Sequence, residues 1–140
     1  MLAMSDTHIA LDHVGILVAD FGAALERYGA LLSGTFEVFE PDETLDCHWA
    51  RLEMQGTPPV ELVAPRSDRS PYAEDLRRRG EGLHHVSFRV GDIVAERERI
   101  AALGLDIRGF SLDHGGWQEL FVHPRQTHGA LLHFCVPPQT

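Results

Sequence analysis

Two stretches of this 140-residue chain repeat each other: LDHVGILVADFGAALERYGAL at residues 11–31 and LHHVSFRVGDIVAERERIAAL at residues 83–103. They align without a gap at an offset of 72, and 10 of the 21 aligned pairs are identical. The same offset pairs VELVAP at 60–65 with LHFCVP at 132–137. Agreement of this kind predicts two related halves that fold alike.

Each half has the same predicted order of elements. An alternating strand comes first, and Asp20 or Asp92 then stands at the N-cap position of an amphipathic helix. Three strand-like runs follow, which makes βαβββ twice and predicts an α+β fold. We expect one domain with module one at 8–66, a short helical connector at 67–79 and module two at 80–138.

The strands and turns are placed by local pattern. Strands are expected at 11–18, 35–40, 47–54 and 60–63 in the first half and at 83–90, 105–110, 117–122 and 130–136 in the second. Pro58-Pro59 and Gly115-Gly116 are expected to form turns between strands. The helices after the two aspartates are expected to end near Gly34 and Gly104.

Composition excludes several functions. The net charge of −9 repels phosphate backbones and argues against nucleic-acid binding. No run is long and apolar enough to span a membrane. All 12 basic residues are arginine, so Schiff-base chemistry on lysine is excluded. Cys47 and Cys135 show no metal or redox spacing, which predicts a reduced, cytoplasmic protein.

Four side chains that can bind metals occupy repeat-related positions. His13 and His85 pair on the first strands, and Glu61 and His133 pair on the last strands. A twofold repeat can gather such pairs around one axis, so the four residues predict a central site for a divalent ion: Zn²⁺, Co²⁺, Ni²⁺, Mn²⁺ or Fe²⁺. Taken singly, either histidine is better explained as a buried core residue with satisfied hydrogen bonds.

The chain resembles the vicinal oxygen chelate superfamily, which includes glyoxalase I, extradiol dioxygenases, bleomycin-resistance proteins and methylmalonyl-CoA epimerases. The resemblance covers nearly the whole chain and is greatest to the epimerases. It is carried by the segments LDHVGILVAD (11–20), VELVAP (60–65), SPYAEDLRRRGEGLHHVSFRVGDI (70–93) and FVHPRQTHGALLHF (121–134). It implies a cupped mixed sheet with pseudo-twofold symmetry around a metal cleft.

The resemblance also implies roles for individual residues. His13 and His85 match the two liganding histidines of the epimerases, and Glu61 stands where those enzymes carry glutamine or glutamate. His133 departs from the pattern, because the epimerases have there a glutamate that binds metal and acts as a base. Whether His133 is a ligand or an acid/base group stays open. His48 falls near the position of the other catalytic glutamate.

The implied function is a metal-dependent epimerase or isomerase that acts through an enolate on a small carbonyl compound, such as a CoA thioester. Glu61, His48 and His133 are the candidate catalytic residues. Two enzyme alternatives are an Fe(II) extradiol-type dioxygenase and a glyoxalase I-like lyase. An alternative of another class is a metal-free protein that sequesters a drug. A homodimer is implied, and Arg77-Arg78-Arg79 could meet the phosphates of coenzyme A or simply be solvated.

Overall fold

The computed structural model describes residues 8–139, which form two compact units: residues 13–84, and residues 8–12 with 85–139. It has eight strands and three α-helices, so the α+β class is confirmed. In chain order the elements are β1 (Ala10–Leu17), α1 (Phe21–Leu32), β2 (Glu37–Val38), β3 (Cys47–Met54), β4 (Thr57–Pro65), α2 (Pro71–Arg79), β5 (Gly82–Arg89), α3 (Ile93–Ala102), β6 (Arg108–His114), β7 (Trp117–Val122) and β8 (Leu131–Val136).

The two halves have the same strand pairing. The order in the first is β2-β3-β4-β1 and in the second β6-β7-β8-β5. In each, the first strand runs parallel to the last one, and the remaining pairs are antiparallel. Gly15 is opposite Glu61, and Ser87 is opposite His133. These two pairs stand at the repeat offset, so the predicted βαβββ repeat is confirmed in its register.

Each unit has its own apolar core between its strands and its helix. In residues 13–84 the helix α1 packs on buried side chains of the strands, among them Ala50, Leu52 and Leu62. In the other unit Ile93 and Ile100 of α3 belong to a cluster with Leu120 and Phe134. Because side chains alternate along a strand, the residues between these core positions point to the other face of the strands.

Helix starts follow the sequence prediction. The Asp20 side chain accepts a hydrogen bond from the backbone N–H of Ala23, and Asp92 accepts two, from Val94 and Ala95. These bonds satisfy amide groups that the first helical turn leaves without an internal partner. The ends of α1 and α3, at Leu32 and Ala102, agree with the predicted ends to within two residues.

The turn predicted at Pro58-Pro59 is wrong. Both prolines lie inside β4, and the chain reverses at Gln55-Gly56, where Gly56 has a φ of +72°. The register of β3 and β4 shifts between Leu52 and Met54, which leaves an irregular stretch where prolines without an N–H are tolerated. The second predicted turn, Gly115-Gly116, joins β6 to β7 as expected.

Candidate functional site

His13 and Glu61 face each other inside the first unit. His13 lies on β1 and Glu61 on the neighbouring β4, on the side of the strands away from the α1 core. Both residues are buried, with 3% and 8% of their surface exposed. The Nε2 nitrogen of His13 is 3.6 Å from the Oε2 oxygen of Glu61. An imidazole and a carboxylate are therefore held close together out of bulk water.

Arg51 adds a positive charge to this pair. It lies on β3 directly opposite Glu61, and its Nη2 nitrogen is 3.4 Å from the Oε2 oxygen of Glu61. The same nitrogen is 3.4 Å from Nδ1 of His13. A guanidinium only donates hydrogen bonds, so Nδ1 of His13 must accept in this contact. Arg51 thus contacts the Oε2 oxygen with which Glu61 would bind a metal ion, and on His13 it contacts Nδ1 rather than the Nε2 nitrogen that faces Glu61.

The donor chemistry of this unit fits a divalent metal. Two ligands placed about 2.1 Å from a tetrahedral ion are roughly 3.4 Å apart. The separation of 3.6 Å between Nε2 of His13 and Oε2 of Glu61 is close to that value. Nitrogen and carboxylate oxygen suit Zn²⁺, Co²⁺, Mn²⁺ and Fe²⁺ alike, so the pair does not select one metal.

His48 is not brought to this pair. It shares a face of β3 with Ala50 and Leu52, which belong to the α1 core. Its ring stacks on Phe21 of α1 with a centroid distance of 5.3 Å and an interplanar angle of 20°. Arg51 and Glu61 lie on the opposite face, because successive side chains of a strand alternate. The structure thus places His48 among packing residues.

The second unit has a different buried group around His133. On β8, His133 has 6% of its surface exposed, and both its ring nitrogens have a partner. Nδ1 is 2.8 Å from the hydroxyl oxygen of Ser87 on β5, and Nε2 is 2.8 Å from Oε1 of Glu119 on β7. In this arrangement both nitrogens that could bind a metal are engaged in hydrogen bonds, which favours an acid/base or supporting role for His133.

Glu119 is held between two imidazoles. Its Oε1 oxygen meets His133, and its Oε2 oxygen is bonded to Nδ1 of His114 at the end of β6. Burial by itself would raise the pKa of Glu119, but the hydrogen bonds and charges of His133 and His114 outweigh it and lower that pKa. Glu119 is therefore a carboxylate at neutral pH and accepts hydrogen bonds from both rings.

His85 lies beside this group on β5. It is 6% exposed and faces the same side of the strands as Ser87, two residues further on. Its ring meets the ring of His133 edge-on, with centroids 6.1 Å apart. Phe121 stacks on the ring of His133 at 4.6 Å. The two histidines predicted in this unit are thus brought together, with an aromatic ring fixing the plane of one of them.

The neighbouring His84 has a different partner. Its Nε2 nitrogen is 2.7 Å from Oδ2 of Asp75 on α2, and the ring of Tyr72 lies against it with centroids 5.1 Å apart. The hydrogen bond from His84 lowers the pKa of Asp75, although partial burial opposes this. His84 therefore fastens the connector helix, and the selection of His85 for the site by the repeat register stays a prediction.

The arginines at the end of α2 have mixed surroundings. Arg77 pairs with Glu74 at 2.7 Å and lines a pocket of about 360 Å³ together with Arg66, Asp68 and Leu76. Arg77, Arg78 and Arg79 occupy the last helical turn, where cations are favourable to the helix dipole. A contact of these arginines with coenzyme A stays a prediction.

Sequence reasoning missed Arg51, Glu119 and Ser87. The repeat register could have found Ser87, because it is the counterpart of Gly15 opposite the last strand. Arg51 and Glu119 depend on hairpin registers, which have no equally clear sequence signal. Arg51 lies between two apolar residues, and that contrast was the available sign, whereas Glu119 follows the polar Gln118 and shows no such contrast.

Comparison with known proteins decides the family. A model of the glyoxalase/bleomycin resistance protein/dioxygenase superfamily matches residues 12–121. The chain belongs to this superfamily. Its vicinal oxygen chelate fold is also that of a crystal structure of methylmalonyl-CoA epimerase from Mycobacterium tuberculosis, with a TM-score of 0.84 and 26% identity over 98% of this chain and 94% of that one.

Two further relatives point to the same branch of the superfamily. An ethylmalonyl-CoA/methylmalonyl-CoA epimerase of Cereibacter sphaeroides is 32% identical, covering 87% of this chain and 93% of its own. A Streptomyces coelicolor methylmalonyl-CoA epimerase variant, solved in complex with 2-nitronate-propionyl-CoA, is 28% identical with a TM-score of 0.81 over 92% and 97% of the two chains. The predicted resemblance to the epimerases is confirmed, and these relatives support the epimerase class.

None of the helices within residues 8–139 has the length and apolar content that crossing a bilayer requires.

Proposed function

We propose that this chain is a metal-dependent epimerase of a 2-substituted malonyl-CoA thioester, such as methylmalonyl-CoA or ethylmalonyl-CoA. The similarity to epimerases over nearly the whole chain supports the reaction class. The observation that carries the metal part is the buried pair of His13 and Glu61, whose ligand atoms are 3.6 Å apart. His85 is the third proposed ligand, by its repeat relationship to His13.

A divalent ion bound by these residues would supply a Lewis acid that stabilises negative charge on the substrate carbonyl oxygen. The protein's own groups must move the proton. One group takes the proton from C2 of the thioester while the C–H electron pair moves towards the carbonyl oxygen, and another returns a proton to the opposite face. Glu61 and His133 are the proposed pair. His48, on the α1 face of its strand, is the weaker candidate.

His133 distinguishes this chain from its relatives' pattern. The sequence left open whether it binds the metal or exchanges protons. The hydrogen bonds of both ring nitrogens, each 2.8 Å long, support the second role. We therefore propose His13, Glu61 and His85 as the metal ligands and His133 as an acid/base group.

Metal content and solvent exchange test the proposal together. Wild type, His13→Ala, His85→Ala and His133→Ala would be reconstituted with Co²⁺ or Zn²⁺, desalted and analysed for bound metal. We expect about one equivalent in wild type and His133→Ala and none in the other two. His123→Ala, at the start of the turn before β8, is the matched histidine control.

The same proteins would then be incubated with methylmalonyl-CoA and ethylmalonyl-CoA in D₂O. Mass spectrometry should show one deuterium gained at C2 with wild type and the control. A metal-free wild type, or a metal-loaded one that leaves both thioesters unlabelled, would contradict the proposal.

The proposed ligand set also suits a second reaction. Two histidines and one carboxylate are the set used by non-haem Fe(II) oxygenases. This candidate gains support because both nitrogens of His133 are engaged, which leaves His13, His85 and Glu61 as the proposed ligands. Oxygen uptake by the Fe²⁺-reconstituted protein with a panel of catechols would identify it, and the absence of uptake would eliminate it.

We propose further that the protein is a cytoplasmic homodimer. Cys47 and Cys135 are both buried thiols, which supports a reducing compartment. Light scattering coupled to gel filtration should give about twice the chain mass of 15.6 kDa.

A further inference from the structure

The carboxylate of Glu119 and the ring of His133 form a buried, hydrogen-bonded polar group in the second unit. Both residues are buried, with 8% and 6% of their surfaces exposed. The Oε1 oxygen of Glu119 is 2.8 Å from Nε2 of His133, which is an ordinary length for a charge-assisted hydrogen bond. The ring of Phe121 stacks on the ring of His133 and limits its rotation.

The direction of these hydrogen bonds follows from what each group can donate. Glu119 receives hydrogen bonds at both oxygens and is ionised, so it has no proton to give. Nε2 of His133 must therefore carry a hydrogen atom. In the neutral ring the lone pair then lies on Nδ1, which accepts from the hydroxyl of Ser87 at 2.8 Å.

Ser87 has a second partner for its hydroxyl group. Its oxygen is also 3.4 Å from the sulfur of Cys135, so the hydroxyl hydrogen can point to Nδ1 or to that sulfur. Because the oxygen stays 2.8 Å from Nδ1, a proton exchanged at this nitrogen passes through the Ser87 hydroxyl group. Glu119 is fixed at its other oxygen, Oε2, by the hydrogen bond to His114.

We propose that Glu119 is a positioning residue that holds His133 as the Nε2–H tautomer and thereby makes Nδ1 the ring nitrogen that does chemistry. This inference rests on the proposed function in giving His133 a place at the site. In this role Nδ1 is the nitrogen that exchanges a proton. The resemblance to the epimerases implies a glutamate at position 133. Glu119 supplies a carboxylate from the neighbouring strand instead.

The tautomer can be measured directly by nitrogen NMR. Long-range proton–nitrogen spectra of ¹⁵N-histidine-labelled, metal-free protein distinguish the two tautomers, and His133→Gln assigns the signals. We expect wild type to show the Nε2–H form of His133. In Glu119→Gln the amide can donate as well as accept, so the Nδ1–H form should appear and hold at least half of the population.

Ser87→Ala is the matched control, because it removes the partner of Nδ1 and leaves Glu119 in place. We expect its His133 to keep the Nε2–H form. In the deuterium-exchange assay Glu119→Gln should lower kcat at least tenfold and change KM less than twofold. If Glu119→Gln does not fold, Glu119→Asp replaces it, because its side chain is one methylene shorter and moves the carboxylate away from His133. Its tautomer, kcat and KM are then compared with those of wild type.

An unchanged tautomer in both Glu119 variants would overturn the proposal, as would a Ser87→Ala variant in which the tautomer changes. The NMR measurement needs neither metal nor substrate. An enzyme that does not act on the thioesters would therefore contradict the proposed function and leave the tautomer result to decide this inference by itself.

Discussion

Arg51 and Glu61 form a cross-strand ion pair, with Nη2 of the arginine 3.4 Å from Oε2 of the glutamate. Their side chains are 17% and 11% exposed, so the pair is largely removed from water. Glu61 is also a proposed metal ligand. Arg51 therefore has two opposed effects: it stabilises the carboxylate while no metal is bound, and it competes with a metal for the same oxygen.

Arg51→Met should separate these effects. Without metal, the buried carboxylate of Glu61 loses a charged partner, and we expect the free energy of unfolding to fall by about 2 kcal/mol. With metal, the repulsion between two cations is gone, and we expect Zn²⁺ or Co²⁺ to bind on the order of tenfold more tightly. Urea unfolding and calorimetric titration measure the two quantities.

Arg51→Lys is the control for that experiment, since it keeps the charge and should keep metal affinity within about threefold of wild type. Weaker metal binding by Arg51→Met would mean that Arg51 orients Glu61 for the ion and does not compete with it.

Leu120 is completely buried on the core face of β7, next to Glu119 on the other face. Leu120→Ala should lower the free energy of unfolding by about 3 kcal/mol, because it removes buried apolar volume and leaves a cavity. Bound metal per folded chain should not change. Leu112→Ala, at a residue 54% exposed on the adjacent β6, should change stability by less than about 0.5 kcal/mol. A loss of metal in Leu120→Ala would show that the core and the site faces are coupled.

The N-cap of α3 offers a test of local helix energetics. Asp92 accepts hydrogen bonds from two backbone amides at 3.0 and 3.1 Å. Asp92→Ala should cost about 1 kcal/mol in thermal or urea unfolding, and Asp92→Asn, which caps nearly as well, should restore most of it. Equal losses in the two variants would assign the effect to charge and not to capping.

His84 and Asp75 predict a dependence of stability on pH. The folded-state pKa of Asp75 lies below its ordinary value of about 4, chiefly because His84 donates a hydrogen bond to it. The stabilisation is thus fully present above pH 4 and is lost as the pH falls through the folded-state pKa. We expect Asp75→Asn to cost about 1 kcal/mol at pH 7, because the carboxylate is 36% exposed and water screens the pair, and much less near pH 3.

Glu74→Gln is the natural comparison for Asp75→Asn. Glu74 lies on the same helix and pairs with Arg77, but both side chains are more than half exposed. Its removal should change stability little at either pH. A loss in Asp75→Asn that is as large at pH 3 as at pH 7 would show that the ion pair is not its cause.

Most of the fold could be predicted because the repeat supplies a second copy of each signal. β3 and β7 begin and end as predicted, and the starts of α1 and α3 follow from their aspartate caps. The run expected at 35–40 forms only the short strand Glu37–Val38, because pairing with β3 at the edge of the sheet, and not its composition, decides how far it extends.

The site could be predicted in part. The offset of 72 identified His13 and Glu61, which lie together in one unit, and His85 and His133, which lie together in the other. The position of His48 on the core face could have been predicted, because alternation along β3 puts it on the same face as Ala50 and Leu52. The hydrogen bonds at both nitrogens of His133 could not be predicted. Glu119 reaches His133 through the register of the β7–β8 pair, which composition does not specify.

The separate apolar core of each unit has a consequence for how this protein can change over generations. Core residues occupy one face of the strands, and His13, Glu61 and His133 occupy the other. Substitutions at the polar positions therefore leave the packing that holds each duplicated half intact. One ancestral half could acquire the Arg51–Glu61 pair while the other acquired Phe121 and His133 at the equivalent places, with little penalty to folding in either. Such a scaffold is readily evolvable, because the polar residues of one half can change while those of the other half keep their existing role.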